Sequence, residues 1–311
     1  MTLSCLHTHT DFCDGKADME TMCQAAYSKG FESIGFSSHG PIAKKTGIKT
    51  RWHMPDEKIL EYIDTALKTR KRWEGKLKVY LGLEVDYIQG ICGPADADIQ
   101  ELPLDYIIGA VHYISSPKNG ELFTVDGPPE EFLPGLEQFD NDGLALCTAY
   151  YNAYIGMINA AGCDILAHLD LVKKNNGQFQ FFSPQDPEYT KLLVKTADAI
   201  AQAREGSART AMEKTALQKS ASPAPAGGRL PIVEVNTGGI IRSYTAEPYP
   251  SLAVLRLLKE RNIPLTVNAD AHAPEHLGGG YETAMASIQQ AGYSAVMVFQ
   301  GRKNGTAVWQ P

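Results

Sequence analysis

Short apolar runs recur along the chain, and most of them end in a polar side chain. Residues 107–111 (IIGAV) and 264–268 (PLTVN) have the composition of strands that are buried on both faces of a sheet. Runs of this kind lie at 3–8, 33–38, 77–84, 105–111, 163–167, 231–236 and 264–269, and an eighth apolar run lies at 295–299. The pattern predicts a series of parallel strands with polar groups at their ends.

Helical periodicity fills the intervals between these runs. Helices are predicted at 18–30, 55–74, 130–161, 186–205, 248–262 and 280–291. Asp56 and Asp186 are suited to cap helix starts, and Gly30, Gly162 and Gly292 follow helix ends. Polar residues follow strands along the whole chain, whereas an open sheet would gather its polar residues at a single crevice between two strands. The alternation therefore favours a parallel α/β barrel over an open sheet, as a single domain over residues 1–311.

One segment, residues 205–229, interrupts the alternation. It is rich in Ala, Ser, Pro, Gly and charged residues and contains few large apolar side chains. We interpret it as a flexible surface insertion before the sixth strand, partly helical at 207–219 and mobile at 220–228.

Composition limits the classes of partner. The chain has 311 residues, of which 43% are hydrophobic, and it has no uninterrupted apolar window of about 18 residues, so no membrane span is predicted. The formal net charge is -7 without a basic stripe, which makes nucleic acid an unfavourable partner. The N-terminus lacks the basic and apolar regions of a signal peptide, and the six cysteines form no CxxC pair. A cytoplasmic protein with reduced thiols is expected, whereas the oligomeric state is left open.

Six of the eight histidines stand at or near the ends of the apolar runs. They are His7, His9, His39, His112, His168 and His272. A single histidine in such a place is as often a core or helix-capping residue as a ligand. Repetition from residue 7 to 272, with Glu84 and Asp270 at further strand ends, indicates a site for several metal ions.

The spacing within two short segments supports shared metal ligation. His7 and His9 alternate with Thr8, so both imidazoles project from one face of an extended backbone. Asp270 and His272 repeat that arrangement. Glu84 ends a strand that is otherwise too apolar to favour a carboxylate, and it is placed to bridge two ions. Asp14 precedes a glycine in a sequence that also suits an ordinary turn, so both interpretations stay open for it.

The segments LHTHT, SSHG, GLEVDY, GAVH, AHLDLVKK, EVNTGG and NADAH resemble those of the polymerase and histidinol phosphatase (PHP) family. The resemblance covers nearly the whole chain apart from residues 205–229. It implies a distorted (β/α)7 TIM-like barrel with three divalent metal ions, Zn, Fe or Mn, at the C-terminal ends of the strands.

The resemblance also implies a ligand for each position. One ion would take His7, His9, Glu84 and Asp270, a second would take Glu84, His112 and His168, and a third would take Asp14, His39 and His272. Several family members have histidine where this chain has Asp14, and the aspartate supplies a harder oxygen ligand.

The implied activity is hydrolysis of histidinol phosphate, a small-molecule phosphate monoester, in histidine biosynthesis. Attack by a metal-bridging hydroxide suits such a centre, because clustered ions activate water and neutralise the phosphoryl oxygens. Glu84, Asp14, His39 and His272 are the residues expected to carry catalysis.

Four further residues are candidates for substrate contact. Arg242 and Lys173 follow strand ends, and Arg51 and His53 lie in the long segment after the second strand, which resembles the family's substrate-covering loop. A guanidinium can hold phosphate with two parallel hydrogen bonds, so Arg242 is the favoured phosphate ligand. An ordinary solvated charge is the alternative for Arg242 and Lys173.

Three other functions are compatible with parts of the pattern. A phosphoesterase that acts on nucleotides or nucleic-acid ends would share the ligands but disagrees with the acidic charge. A non-catalytic, metal-stabilised module would have lost ligands, and none is lost here. An amidohydrolase would also have a metal-lined barrel, but it commonly needs a bridging lysine on the fourth strand, and DYIIGAVH has none.

Overall fold

A computed structural model describes residues 2–43, 46–48, 50–217, 231–303 and 306–311. Its strands are β1 (Ser4–Cys5), β2 (Ser33–Phe36), β3 (Lys78–Asp86), β4 (Tyr106–Ala110), β5 (Tyr113–Ser115), β6 (Leu122–Thr124), β7 (Ile165–Leu166), β8 (Ile232–Asn236), β9 (Leu265–Asn268), β10 (Val298–Lys303) and β11 (Thr306–Gln310). Seven of them form one parallel sheet in the order β1-β2-β3-β4-β7-β8-β9.

Helices connect the strands and pack around the sheet. They are α1 (Met19–Ser28), α2 (Ile59–Arg72), α3 (Ala97–Gln100), α4 (Pro129–Glu137), α5 (Gly143–Ala160), α6 (Asn176–Phe179), α7 (Pro187–Leu217), α8 (Gly238–Ile241), α9 (Leu252–Glu260) and α10 (Tyr281–Gln290). Asp18 caps α1 by accepting a hydrogen bond from Thr21 N at 2.7 Å. No helix in the described part of the chain is both long and apolar enough to cross a membrane.

The first and last strands of the sheet meet just beyond their C-terminal ends. Thr8 forms a parallel bridge with Ala271, and the His9 amide donates to the Ala271 carbonyl at 2.8 Å. The Leu6 amide also donates to Asn268 Oδ1 at 2.7 Å. The sheet is therefore a nearly closed, distorted seven-stranded barrel with surrounding helices, and the predicted fold is confirmed.

Tyr106 fills the inside of the barrel. Its hydroxyl donates to the carbonyl of Phe36 at 3.1 Å, and the side chain is fully buried. A Cβ atom at Gly82 would lie 2.5 Å from the Tyr106 ring, so the neighbouring strand must carry glycine there. This packing makes the barrel a solid core and leaves its C-terminal mouth for polar groups.

The eighth apolar run, at 295–299, does not join the seven-stranded barrel. It leads into β10, which pairs antiparallel with β11 in a separate hairpin. Phe299 of β10 is fully buried against Tyr80, Tyr106 and Trp309. Arg302 Nη2 pairs with Asp164 at 2.6 Å. The hairpin thus covers the N-terminal mouth of the barrel.

Two helix predictions differ from the structure in extent. The segment predicted as one helix at 130–161 forms α4 and α5, with positive φ angles of 56° at Asp140 and 59° at Asn141 between them. Asp142 then caps α5 by accepting from the amides of Leu144 and Ala145. The helix predicted at 186–205 continues as α7 to Leu217, so the first part of the 205–229 insertion is helical. Residues 218–230, including the segment predicted to be mobile, lie outside the described residues.

Candidate metal centre

The predicted ligands come from the C-terminal ends of successive strands and from the loops that follow them. His7 and His9 follow β1, His39 follows β2, Glu84 lies in β3, His112 follows β4, His168 follows β7, and Asp270 and His272 follow β9. Parallel strands bring these ends to one mouth of the barrel. All nine candidate ligands, with Asp14 from the loop before α1, fall into overlapping groups whose donor atoms lie within 4.8 Å of one another.

The HxH segment has the geometry expected of it. The rings of His7 and His9 lie on the same side of the backbone with centroids 5.2 Å apart. His7 Nε2 is 3.7 Å and His9 Nε2 is 3.1 Å from Asp270 Oδ1. These three side chains form one compact donor group.

Glu84 joins that group to a second one. Its Oε2 lies 3.1 Å from His7 Nε2 and 3.5 Å from His9 Nε2. Its Oε1 lies 3.0 Å from His168 Nε2 and 3.6 Å from His112 Nε2. Glu84 Oε2 also lies 3.0 Å from His39 Nδ1. The two oxygens therefore face different sets of imidazoles, which is the arrangement that a bridging carboxylate requires.

Asp14, His39 and His272 form a third group, and His9 belongs to it as well. Asp14 Oδ2 lies 3.3 Å from His272 Nε2, and Asp14 Oδ1 lies 4.0 Å from His39 Nε2. The His9 and His272 rings stack with centroids 4.0 Å apart. The participation of His9 in this group is a feature that sequence spacing did not reveal.

The donor atoms fit divalent metal ions by two criteria. Ligands about 2.0–2.1 Å from a tetrahedral zinc ion lie roughly 3.4 Å apart, and the distances around Glu84 are of that size. Several buried atoms of these groups also have no hydrogen-bond partner among the described residues: His7 Nε2, His9 Nε2, His39 Nδ1 and Glu84 Oε2. Buried polar atoms are costly without partners, so their convergence favours cations.

The carboxylates of the centre are held in their charged forms. Burial raises the pKa of Glu84, but the imidazoles of His7 and His39 outweigh it and hold the pKa well below its usual value. Burial likewise opposes ionisation of Asp270, and Arg242 with His7 lowers its pKa. Burial lowers the pKa of His39 to about 3. The carboxylates are therefore charged and His39 is neutral, which are the forms that bind metal. Burial lowers the pKa of His7 and His112, but the neighbouring carboxylates outweigh it and raise both, so these two imidazoles must release a proton when metal binds.

A cavity of about 890 Å³ opens beside the centre. Arg242 and His53 line it, together with Asp14, His39 and His272. The Arg242 guanidinium donates to Asp270 Oδ2 at 3.0 Å and contacts His272 Nδ1 at 3.1 Å. Arg242 therefore orients two candidate ligands at the edge of the cavity.

The other two substrate candidates lie elsewhere. Lys173 does not line the cavity; its ammonium group is bound by Asp170, Glu247 and the Pro248 carbonyl, which gives it a structural role. Arg51 is exposed and is likewise absent from the cavity lining. The neighbouring Trp52 and His53 line it instead.

The sequence profile of the PHP domain matches residues 6–206, which is more than half of the chain. The chain belongs to the PHP domain family. A Deinococcus radiodurans protein named "Probable histidinol-phosphatase" is 29% identical over 298 residues, which cover 96% of each chain. The Bacillus subtilis protein named "Histidinol-phosphatase" is 24% identical over 89% of this chain and 96% of its own.

A solved structure shares the fold of this PHP domain. It is histidinol phosphate phosphatase from Lactococcus lactis, complexed with Zn, L-histidinol and phosphate. The TM-score is 0.66 at 17% identity, and the match covers 99% of both chains.

Two buried carboxylates of the PHP site were missed by the sequence analysis. Glu234 of β8 accepts from His7 Nδ1 at 2.8 Å and from the His168 amide at 3.1 Å. Asp86 lies 2.8 Å from His112 Nδ1 and 2.6 Å from His53 Nε2. Carboxylates in such positions fix the tautomer and orientation of ligating imidazoles. The sequence did offer a signal for both residues. Each is an acidic residue within an apolar strand, and each lies in a segment that carries the family resemblance.

Proposed function

We propose that this PHP protein is a phosphoric monoester hydrolase that converts L-histidinol phosphate to L-histidinol and phosphate with three divalent metal ions. The observation that carries the proposal is the convergence of all nine candidate ligands beside one cavity. Full-length similarity to proteins named histidinol-phosphatase supports the choice of substrate.

Each donor group would hold one ion. His7, His9 and Asp270 with Glu84 Oε2 would hold the first, and Glu84 Oε1 with His112 and His168 would hold the second. Asp14, His39 and His272 would hold the third, at the side that faces the cavity. Nitrogen and carboxylate donors suit Zn, Fe and Mn.

When bound, divalent ions polarise phosphoryl oxygens and lower the pKa of coordinated water, which are the two requirements for phosphate-ester hydrolysis near neutral pH. The chain's own residues prepare the site for this chemistry. Glu84 spans two donor groups and fixes their separation. Arg242 holds Asp270 and His272 in place, and its position at the cavity edge suits contact with a phosphate oxygen as well.

The loop that contains Trp52 and His53 would cover the substrate. Trp52 Nε1 donates to the Tyr113 hydroxyl at 2.9 Å, and His53 stacks on the Tyr113 ring. Asp86 connects His53 to His112 and so couples the loop to the centre. An aromatic surface of this kind suits the imidazole ring of histidinol.

Phosphate release from a panel of substrates tests the proposal. With Zn or Mn added, kcat/KM for histidinol phosphate should exceed that for nucleotide and sugar phosphates by at least about 100-fold, because only histidinol phosphate offers both a free imidazole ring and an aliphatic ammonium group to the cavity. A preference for nucleotides, or no phosphate release from any monoester in metal-loaded protein, would overturn it.

A further inference from the structure

The cavity is also lined by an ionised side chain that belongs to no candidate metal group and has been given no role so far. Asp126 lies between β6 and α4 and lines the same cavity as Asp14 and His39. Building on the proposed function, we propose that Asp126 binds the ammonium group of the substrate and thereby selects amine-bearing phosphate esters.

The first argument is an unpaired atom. Within the part of the chain that the structure describes, three residues that line the cavity have a buried side-chain atom without a hydrogen-bond partner: His39, Glu84 and Asp126. His39 and Glu84 belong to candidate metal groups, so bound metal ions would satisfy their unpaired atoms. Asp126 Oδ1 belongs to no candidate metal group, so it requires a donor of another kind.

The second argument is position. The Val125 amide donates to the His112 carbonyl at 2.9 Å, which fixes Asp126 next to the end of the segment that carries a candidate ligand. Asn175 Nδ2 donates to the Gly127 carbonyl at 3.1 Å and holds the other side of the loop. The backbone on both sides of Asp126 is therefore held in place at the wall of the cavity, as a selective contact requires.

The third argument is charge. Burial raises the pKa of Asp126, but the Lys174 ammonium and the nearby His112 and His168 outweigh this effect, so the carboxylate is ionised. Lys174 lies 3.3 Å from Oδ2 and above the Tyr244 ring, so its ammonium pairs with Oδ2, and Oδ1 has no partner among the described residues. An ionised carboxylate only accepts hydrogen bonds, and it repels phosphate.

These properties match one group of the proposed substrate. Histidinol phosphate carries its ammonium group two carbons from the ester oxygen, close enough to reach a residue beside the centre while the phosphate faces the metal ligands. An ammonium offers three donors and a positive charge to Oδ1. Sugar and nucleotide phosphates lack this cation and would leave Oδ1 unpaired.

The test compares histidinol phosphate with its deamino analogue, 3-(imidazol-4-yl)propyl phosphate, in Zn-loaded full-length protein. Asp126→Asn should lower kcat/KM for histidinol phosphate by about 10- to 100-fold, the effect of losing one charge-assisted hydrogen bond. It should change kcat/KM for the analogue by less than about threefold. Asp140→Asn is the matched control, because Asp140 is exposed and pairs with Lys118 at the surface; it should leave both values unchanged.

The outcomes separate the two proposals. Wild-type protein that releases phosphate from other monoesters but not from histidinol phosphate would overturn the proposed function. Wild-type activity on histidinol phosphate with an unchanged substrate ratio in Asp126→Asn, or with equal losses on both substrates, would overturn the role of Asp126 alone. If the Asp126→Asn variant does not fold, the test is product inhibition of the wild-type protein. L-histidinol should inhibit phosphate release at least about tenfold more strongly than 3-(imidazol-4-yl)propanol does. Equal inhibition by the two alcohols would refute the ammonium contact.

Discussion

Glu84 is the residue on which the candidate metal centre depends most. It is almost fully buried, and its two oxygens face different donor groups. A buried carboxylate surrounded by imidazoles is stable as an anion only while those partners or cations compensate its charge. Its side chain therefore controls both the charge and the spacing of the centre.

Glu84→Gln should remove the bridge with little change in shape. We expect metal content to fall and kcat/KM for histidinol phosphate to drop by more than about 100-fold, because a neutral amide is a poor ligand. Elemental analysis and phosphate release measure the two effects. Tyr151→Phe is the control: Tyr151 is equally buried and its hydroxyl pairs with that of Tyr189, away from the candidate ligands, so activity should stay within a few fold. Equal losses in both variants would mean that Glu84 serves stability and not metal binding.

The sequence indicated the ligand residues better than their supporting residues. Ligands such as His112 and His168 stand out because histidines recur at the ends of the apolar runs along the chain. Glu234 and Asp86 stand within strands, where nothing in the spacing shows that their oxygens face imidazoles. Lys173 shows the opposite case, since its position after a strand end suggested a ligand contact but its ammonium is bound by Asp170 and Glu247.

Among the elements, the β10–β11 hairpin was the least predictable. Its apolar run has the composition of a barrel strand, but β9 already meets the extension of β1 and leaves no position for another strand. Similarly, helical periodicity at 130–161 continues through the left-handed residues that separate α4 from α5. Both differences arise from tertiary geometry and from single φ angles, which local periodicity does not encode.

The hairpin should stabilise the barrel without taking part in the chemistry. Phe299→Ala removes a fully buried ring from contact with Tyr80 and Tyr106 and should lower the free energy of unfolding by about 3–5 kcal/mol. The KM of folded protein should not change, because the hairpin lies at the opposite mouth. Leu60→Ala, at a position that is 73% exposed, should cost less than about 0.5 kcal/mol in the same denaturant titration. A change in KM for Phe299→Ala would show that the two mouths are coupled.

At the scale of the whole molecule, the barrel was predictable because alternating strands and helices with polar endings admit few other topologies.

Metal occupancy is the property of the whole molecule that the donor groups predict most directly. Protein purified without chelator should contain more than two transition-metal ions per chain by elemental analysis, and chelation should lower Tm, because ions that bind only the native state stabilise it. A reproducible single ion at full activity would contradict the assignment of three.

The closure between β1 and β9 also determines when the protein can mature. The hydrogen bond from Leu6 to Asn268 joins residues 262 positions apart, and the donor group of His7, His9 and Asp270 lies beside it. During synthesis these side chains cannot come together until almost the whole chain has left the ribosome, so an ion that needs all three would be bound only after translation. Occupancy by that ion would then distinguish finished molecules from incomplete ones in the cell.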